Sequence, residues 1–162
     1  VAWFRRDPAP SILPNPQDDD PADSPEALGA AIREVVRLVN ASAGRLPLAA
    51  VVAARRITDV LAEIVATSEL RPLDIHAVLS VRATATDYLP TTVRTFLAVD
   101  ESLVDVPLPT GRTPSESLME QLDALEGAAL AVLQASQRQD VDGLMTQGNF
   151  LRTKFSRSDL EV

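Results

Sequence analysis

The sequence predicts an all-α protein, an antiparallel helical bundle of five to six helices behind a disordered N-terminal tail. Three observations predict it. Apolar residues recur at helical spacing through most of the chain, prolines beside hydroxyl or carboxylate residues mark helix starts, and aromatics make up only 4% of the residues, leaving Leu, Val, Ile and Ala to build the core. No run keeps the alternation of a strand and no internal repeat is visible. Short connections between amphipathic segments favour antiparallel neighbours.

Residues 1–23 hold Pro8, Pro10, Pro14, Pro16 and Pro21 with the acidic run Asp18-Asp19-Asp20, and cannot bury enough apolar surface to offset their ordering entropy. They are expected to form a disordered tail, with a single helical-bundle domain over 24–162. Ser24-Pro25-Glu26 opens helix one: a hydroxyl cap, a proline whose missing N–H costs nothing, and a carboxylate at the positive dipole end. Leu28, Ile32, Val35, Val36 and Val39 follow at helical spacing until Asn40 to Gly44 break the pattern.

Pro47 opens a second helix with Leu48, Val51, Val52, Leu61, Ile64 and Val65 as its stripe and Arg55, Arg56, Asp59 and Glu63 on other faces. Pro72 and Asp74 restart the chain, with Ile75, Val78, Leu79 and Arg82 in register to about Tyr88. Pro90 is expected to push Leu89 out of helical geometry and to open a short fourth helix through Val93, Phe96 and Leu97. Val106-Pro107-Leu108-Pro109-Thr110-Gly111 reads as a rigid loop.

Thr113-Pro114-Ser115-Glu116 matches a capping box, followed by Leu118, Leu122, Leu125, Ala129, Val132 and Leu133 on a helix of roughly six or seven turns. Its heptad-like stripe makes the segment from Thr113 to Arg138 the expected contact element for a partner helix. Asp140 is expected to cap a last helix carrying Val141, Leu144, Met145, Gly148, Leu151 and Phe155 along one side.

Charge and composition narrow the function. A net charge of -8 opposes binding to a phosphate backbone, so nucleic acid is not an expected partner. The absence of cysteine excludes disulfides, thiol catalysis and thiolate-ligated zinc, and fits a cytoplasmic setting. No transmembrane span is expected, because Leu48 to Val65, the richest apolar stretch, is broken by Arg55, Arg56, Asp59 and Glu63. Val1 to Arg6 is too short and too soon charged for a secretory signal, although Trp3, Phe4, Arg5 and Arg6 have the composition of a weak membrane-surface contact.

No catalytic, cofactor-binding or metal-ligating set is assigned. The sole histidine, His76, has Asp74 on a different helical face, and Glu69 precedes it by seven residues without a Glu-x-x-His pair. Asp18 to Asp20 lack the glycine and distal glutamate of a calcium loop. Arg45, Arg55 and Arg56 form the basic cluster of the fold, with Asp59 placed to pair with Arg55.

Ala85 to Leu97, containing Tyr88-Leu89-Pro90-Thr91, is similar to the Tyr-Leu-Pro-Thr segment of bacterial XpaC-type proteins, a family named after hydrolysis of an indolyl phosphate and grouped with toxic-anion-resistance proteins. Gln121 to Leu125 with Gln147 to Phe155 resembles the C-terminal helix pair of bacterial proteins of that layout. The resemblance implies a helical cytoplasmic module, sometimes carried beside membrane segments, and no catalytic residue. The expected function is a helical protein-interaction or scaffold module, associated with the cell envelope, that acts through a protein partner or as a homo-oligomer and is not an enzyme. The alternatives are an XpaC-type phosphate-ester hydrolase, in which His76, Asp87, Thr91 and Arg94 would have to converge, and a small-ligand sensor.

Overall fold

The structure, a computed structural model, describes residues 20–158 and their side chains as far as Thr153. Most of the expected tail, including Trp3, Phe4, Arg5 and Arg6, lies outside the described residues. Every regular element among the described residues is helical, so the all-α class stands. The helices are α1 (Pro25–Ser42), α2 (Leu48–Ala66), α3 (Ile75–Ala83), α4 (Leu89–Leu97) and α5 (Pro114–Ser158). A π turn (Thr84–Tyr88) joins α3 to α4 without a break. The described chain therefore makes four rods, fewer than the five to six expected.

The helix starts follow from local chemistry. Ser24 Oγ accepts from the Ala27 N–H at 3.2 Å to cap α1, and Asp74 accepts from the His76 N–H at 2.7 Å to cap α3. At α5 the capping box is complete: Thr113 Oγ1 accepts from the Glu116 N–H at 3.1 Å, and Glu116 accepts from the Thr113 N–H at 2.9 Å. Order also extends upstream of Ser24. Pro21–Asp23 forms a 3-10 turn capped by Asp20, and Arg82 of α3 holds it through Asp23 at 2.7 Å and Asp20 at 3.0 Å.

The core is aliphatic. Leu28, Ile32, Val35 and Val39 are the buried edge of α1, and Leu118, Leu122, Ala129 and Leu133 that of α5. Between them lies α2, on which α5 packs most extensively. Its buried face is Ala50, Val51, Ala53, Ala54, Ile57, Leu61 and Ile64, where the alanines let neighbouring backbones approach closely. Leu48, expected in this stripe, is 80% exposed, and Val52 also faces out. A fully buried Leu or Ile contributes about 1.5–3 kcal/mol, so the middle rod carries much of the stability.

Two expectations are corrected. Leu89 keeps helical torsions, φ -67° and ψ -46°, although Pro90 follows it. In a plain α-helix the Pro90 ring would press on the carbonyl four residues earlier. The π turn widens the spiral there, and the Leu89 N–H reaches back to Thr84 O instead. Packing gives a second reason for the wide turn. Val81, Ala85, Leu89 and Val93 are all buried at steps of four; on a uniform α-helix three such steps turn the buried face by about 120°. One extra residue takes back about 100°, which returns Val93 and Phe96 to the core.

Asp140, expected as a cap, sits inside α5, which runs unbroken for 45 residues. Its carboxylate instead meets the Arg71 guanidinium, arriving from the loop before α3. Arg71 also donates to Ser136 O at 2.8 Å and Ser136 Oγ at 3.0 Å, fastening that loop to the middle of α5.

Candidate functional site

The residues weighed for catalysis do not assemble. His76 is exposed in the first turn of α3, where only its backbone N–H is engaged. Asp87 lies eleven residues further along the same rod, a rise of about 16 Å. Thr91 does meet Asp87, its hydroxyl donating at 3.2 Å one turn away, and Arg94 is exposed with no ion pair among the described residues. Glu69 belongs to the 3-10 turn after α2, so it shares no helix with His76. Among the described residues no group of three His, Asp or Glu side chains could hold a metal ion.

Two arginines of the basic cluster, Arg45 and Arg55, help to hold the fold. Arg45 donates to Leu97 O at 2.6 Å and satisfies a carbonyl at the end of α4. Arg55 bonds Asn40 Oδ1 at 2.8 Å rather than Asp59, tying α2 to α1. Arg82 is the electrostatic hub of the N-terminal turn. The Asp20 carboxyl is held below its ordinary range by the Ala22 N–H and then by Arg82, while Asp23 and Asp20 together raise Arg82. The Asp100 carboxyl is lowered by the Ser102 hydroxyl and N–H, a local cap on the loop after α4.

Two surfaces remain. The first is an apolar cleft of about 390 Å³ between α4, the following loop and the start of α5, walled by Phe96, Val99, Leu103, Val106, Leu108 and Leu118. Leu108 to Arg112 shape its rim: Gly111 N–H donates to Leu108 O and Leu108 N–H to Arg112 O, both at 2.8 Å, and Gly111 takes φ +80°, open to glycine at no steric cost. Thr92 and Gln121 supply polar groups, and no titratable side chain lines it. The cleft suits an apolar occupant and offers no proton chemistry. The sequence presents these loop residues as a connector; the signal available for the cleft is the apolar set Leu103, Val106 and Leu108 within a loop.

The second surface is the C-terminal half of α5. The stripe expected to meet a partner, from Leu118 to Leu133, is consumed in the protein's own core. From Gln137 to Thr153 every residue is exposed. Along one side of this stretch run Val141, Leu144, Met145, Gly148 and Leu151, with Leu144 74% exposed. A helix that leaves core cover this far behind normally turns polar all round. This one keeps an apolar seam, although an isolated helix of its length is marginal in water. No helix among the described residues is long and apolar enough to cross a membrane.

Searches against family models, curated proteins and solved structures find no match to this chain.

Proposed function

We propose that the chain is a protein-interaction module: an antiparallel bundle of four rods that carries the C-terminal half of α5 clear of its core and presents it to a partner helix. The observation that supports this most is the exposed seam Val141, Leu144, Met145, Leu151 on a helix whose N-terminal half buries its own apolar stripe. Apolar side chains at heptad-like spacing are what a partner helix packs against. The aliphatic body serves as the mount, and the bonds from Arg71 to Ser136 and Asp140 fix the angle at which the rod leaves it.

Replacing both Leu144 and Leu151 by Asp tests the proposal. The body should still melt cooperatively, while stable associations of the protein, with itself or with co-purifying chains, are lost. Retention of all wild-type associations by the double variant would place the interaction surface elsewhere and defeat the proposal.

The apolar cleft beside α4 supports a second reading, capture of a small apolar ligand, which native mass spectrometry on freshly isolated protein would reveal as a retained mass. A hydrolase of XpaC type has less behind it, since His76 stands about three turns from Asp87 and about four from Thr91.

A further inference from the structure

We propose that the apolar cleft beside α4 is filled by the chain's own N-terminal tail, with Trp3 and Phe4 seated against Phe96 and Leu108 and with Arg5 and Arg6 facing the acidic loop that walls it. This is independent of the interaction module proposed above and gives the cleft an occupant within the chain itself.

The sequence holds one tryptophan and four phenylalanines, and two of these rings stand side by side at positions 3 and 4, ahead of a stretch dominated by proline and aspartate. Such a stretch offers them little apolar surface to pack against. Aromatic side chains bring about 150–250 Å² each and gain further where another ring waits. Phe96, only 6% exposed, is such a ring and forms part of the cleft. At about 390 Å³ the cleft falls in the range that holds compact apolar groups, ~300–1,000 Å³. Leu103 and Leu108 in its wall are half exposed, so an occupant has apolar surface left to cover.

Charge selects Trp3-Phe4 over the tail's other apolar pair, Ile12-Leu13. From Ala98 to Thr110 the loop carries Asp100, Glu101 and Asp105, all exposed, and no basic residue. Arg112, just beyond it, is paired with Glu120, and Arg94 in the last turn of α4 offsets one of the three acids. Arg5 and Arg6 follow the two rings directly and bring the opposite sign. Ile12-Leu13 lies between Pro10 and Pro14 with no base beside it.

The length of the tail fits the distance. Arg82 holds Asp20, where the described residues begin, and Phe96 lies fourteen residues beyond Arg82 on the same rod, about 20 Å along its axis. Phe4 is sixteen residues before Asp20. A flexible chain of that length spans about 20–24 Å on average, and a fully extended polyproline one about 50 Å, so the cleft is within reach. Tethering keeps the rings near the cleft at an effective concentration on the order of millimolar, enough to seat a contact that is weak between separate molecules. A small apolar ligand then enters by displacing the tail.

Because Trp3 is the one tryptophan, its fluorescence in the full chain reports the docking directly. Wild-type emission should be blue-shifted, and quenching by acrylamide several-fold slower than in L103D/L108D, at every protein concentration. R5E/R6E should lower the ratio of docked to free tail about fivefold. Both leucines are half exposed, so L103D/L108D should keep the wild-type melt; R5E/R6E, outside the helical body, reads the docking whatever that melt shows. In this cysteine-free chain, F4C/L108C should close an intramolecular disulfide under mild oxidation, and F4C/L144C should not. A wild-type Trp3 that emits and is quenched like a free peptide overturns the proposal. So does protection that survives L103D/L108D in a folded body, that appears only at high protein concentration, or that needs added vesicles of anionic lipid. L144D/L151D, which tests the seam, should leave Trp3 emission unchanged, so the two proposals fail separately.

Discussion

The same substitution at two leucines of one helix separates the buried half of α5 from the exposed half. Leu122 is 1% exposed and Leu144 is 74% exposed, twenty-two positions apart. Leu122→Ala removes a fully packed side chain from the core and leaves a cavity, a loss of about 3–4 kcal/mol. For a chain of this size each kcal/mol moves the melting temperature by roughly 3–4 °C, so a drop of about 10 °C or more is expected. Leu144→Ala removes little buried area and exchanges one strong helix former for a better one. Its melting temperature should stay within about 1 °C of wild type in dilute solution. Thermal melts followed by circular dichroism, repeated at low and high protein concentration, read both effects. A drop for Leu144→Ala comparable to that of Leu122→Ala, at the lowest concentration, would mean that the C-terminal half of α5 folds back onto the body, and would refute the reasoning.

Thr113→Ala removes the capping hydroxyl of α5 and should cost about 1 kcal/mol, with faster amide exchange at Ser115 and Glu116 as the local signature. Arg71→Ala cuts the tie to Ser136 and Asp140 at a half-exposed site, where about 1 kcal/mol is at stake. Exchange should quicken around Leu133 to Asp140 while α1 stays protected, and unchanged rates would show that the tie is ornamental. The depressed Asp20 carboxyl makes docking of the N-terminal turn acid-sensitive. Its contribution is complete above the unfolded carboxyl value of about 4 and is lost as pH falls through the lower folded value. Carboxyl NMR titration should show Arg82→Gln moving Asp20 only part of the way back, because the Ala22 N–H remains.

Much of the fold was legible because caps are local. Ser24, Asp74 and the Thr113–Glu116 pair act within three residues of themselves, so their roles can be recognised without knowing what packs where. The stripes of α1 and α5 were legible for the same reason. Where the reading departed from the structure, a distant residue decided. Asp140 carries the signature of a cap, and only Arg71, 69 positions earlier, turns it into an anchor inside a longer helix. Pro90 obeys a rule about α-helices that a π turn suspends, and the clue was the unusual run of four-residue steps from Val81 to Val93. Leu48 looked like core, but the alanines of α2 face inward, and hydrophobicity alone ranks Leu above Ala. Of the candidate surfaces, the seam after Asp140 was visible as a pattern. Its exposure was not, because nothing local says that the body ends near Ser136.

The wide turn between α3 and α4 makes spacing, and not composition alone, something the chain must preserve. Losing one residue between Arg82 and Leu89 would leave a tidier spiral with Phe96 swung out of the interior, whereas a conservative exchange at the same places would pass almost unnoticed. Among descendants of this chain, that stretch should tolerate changes of letter far more readily than changes of length.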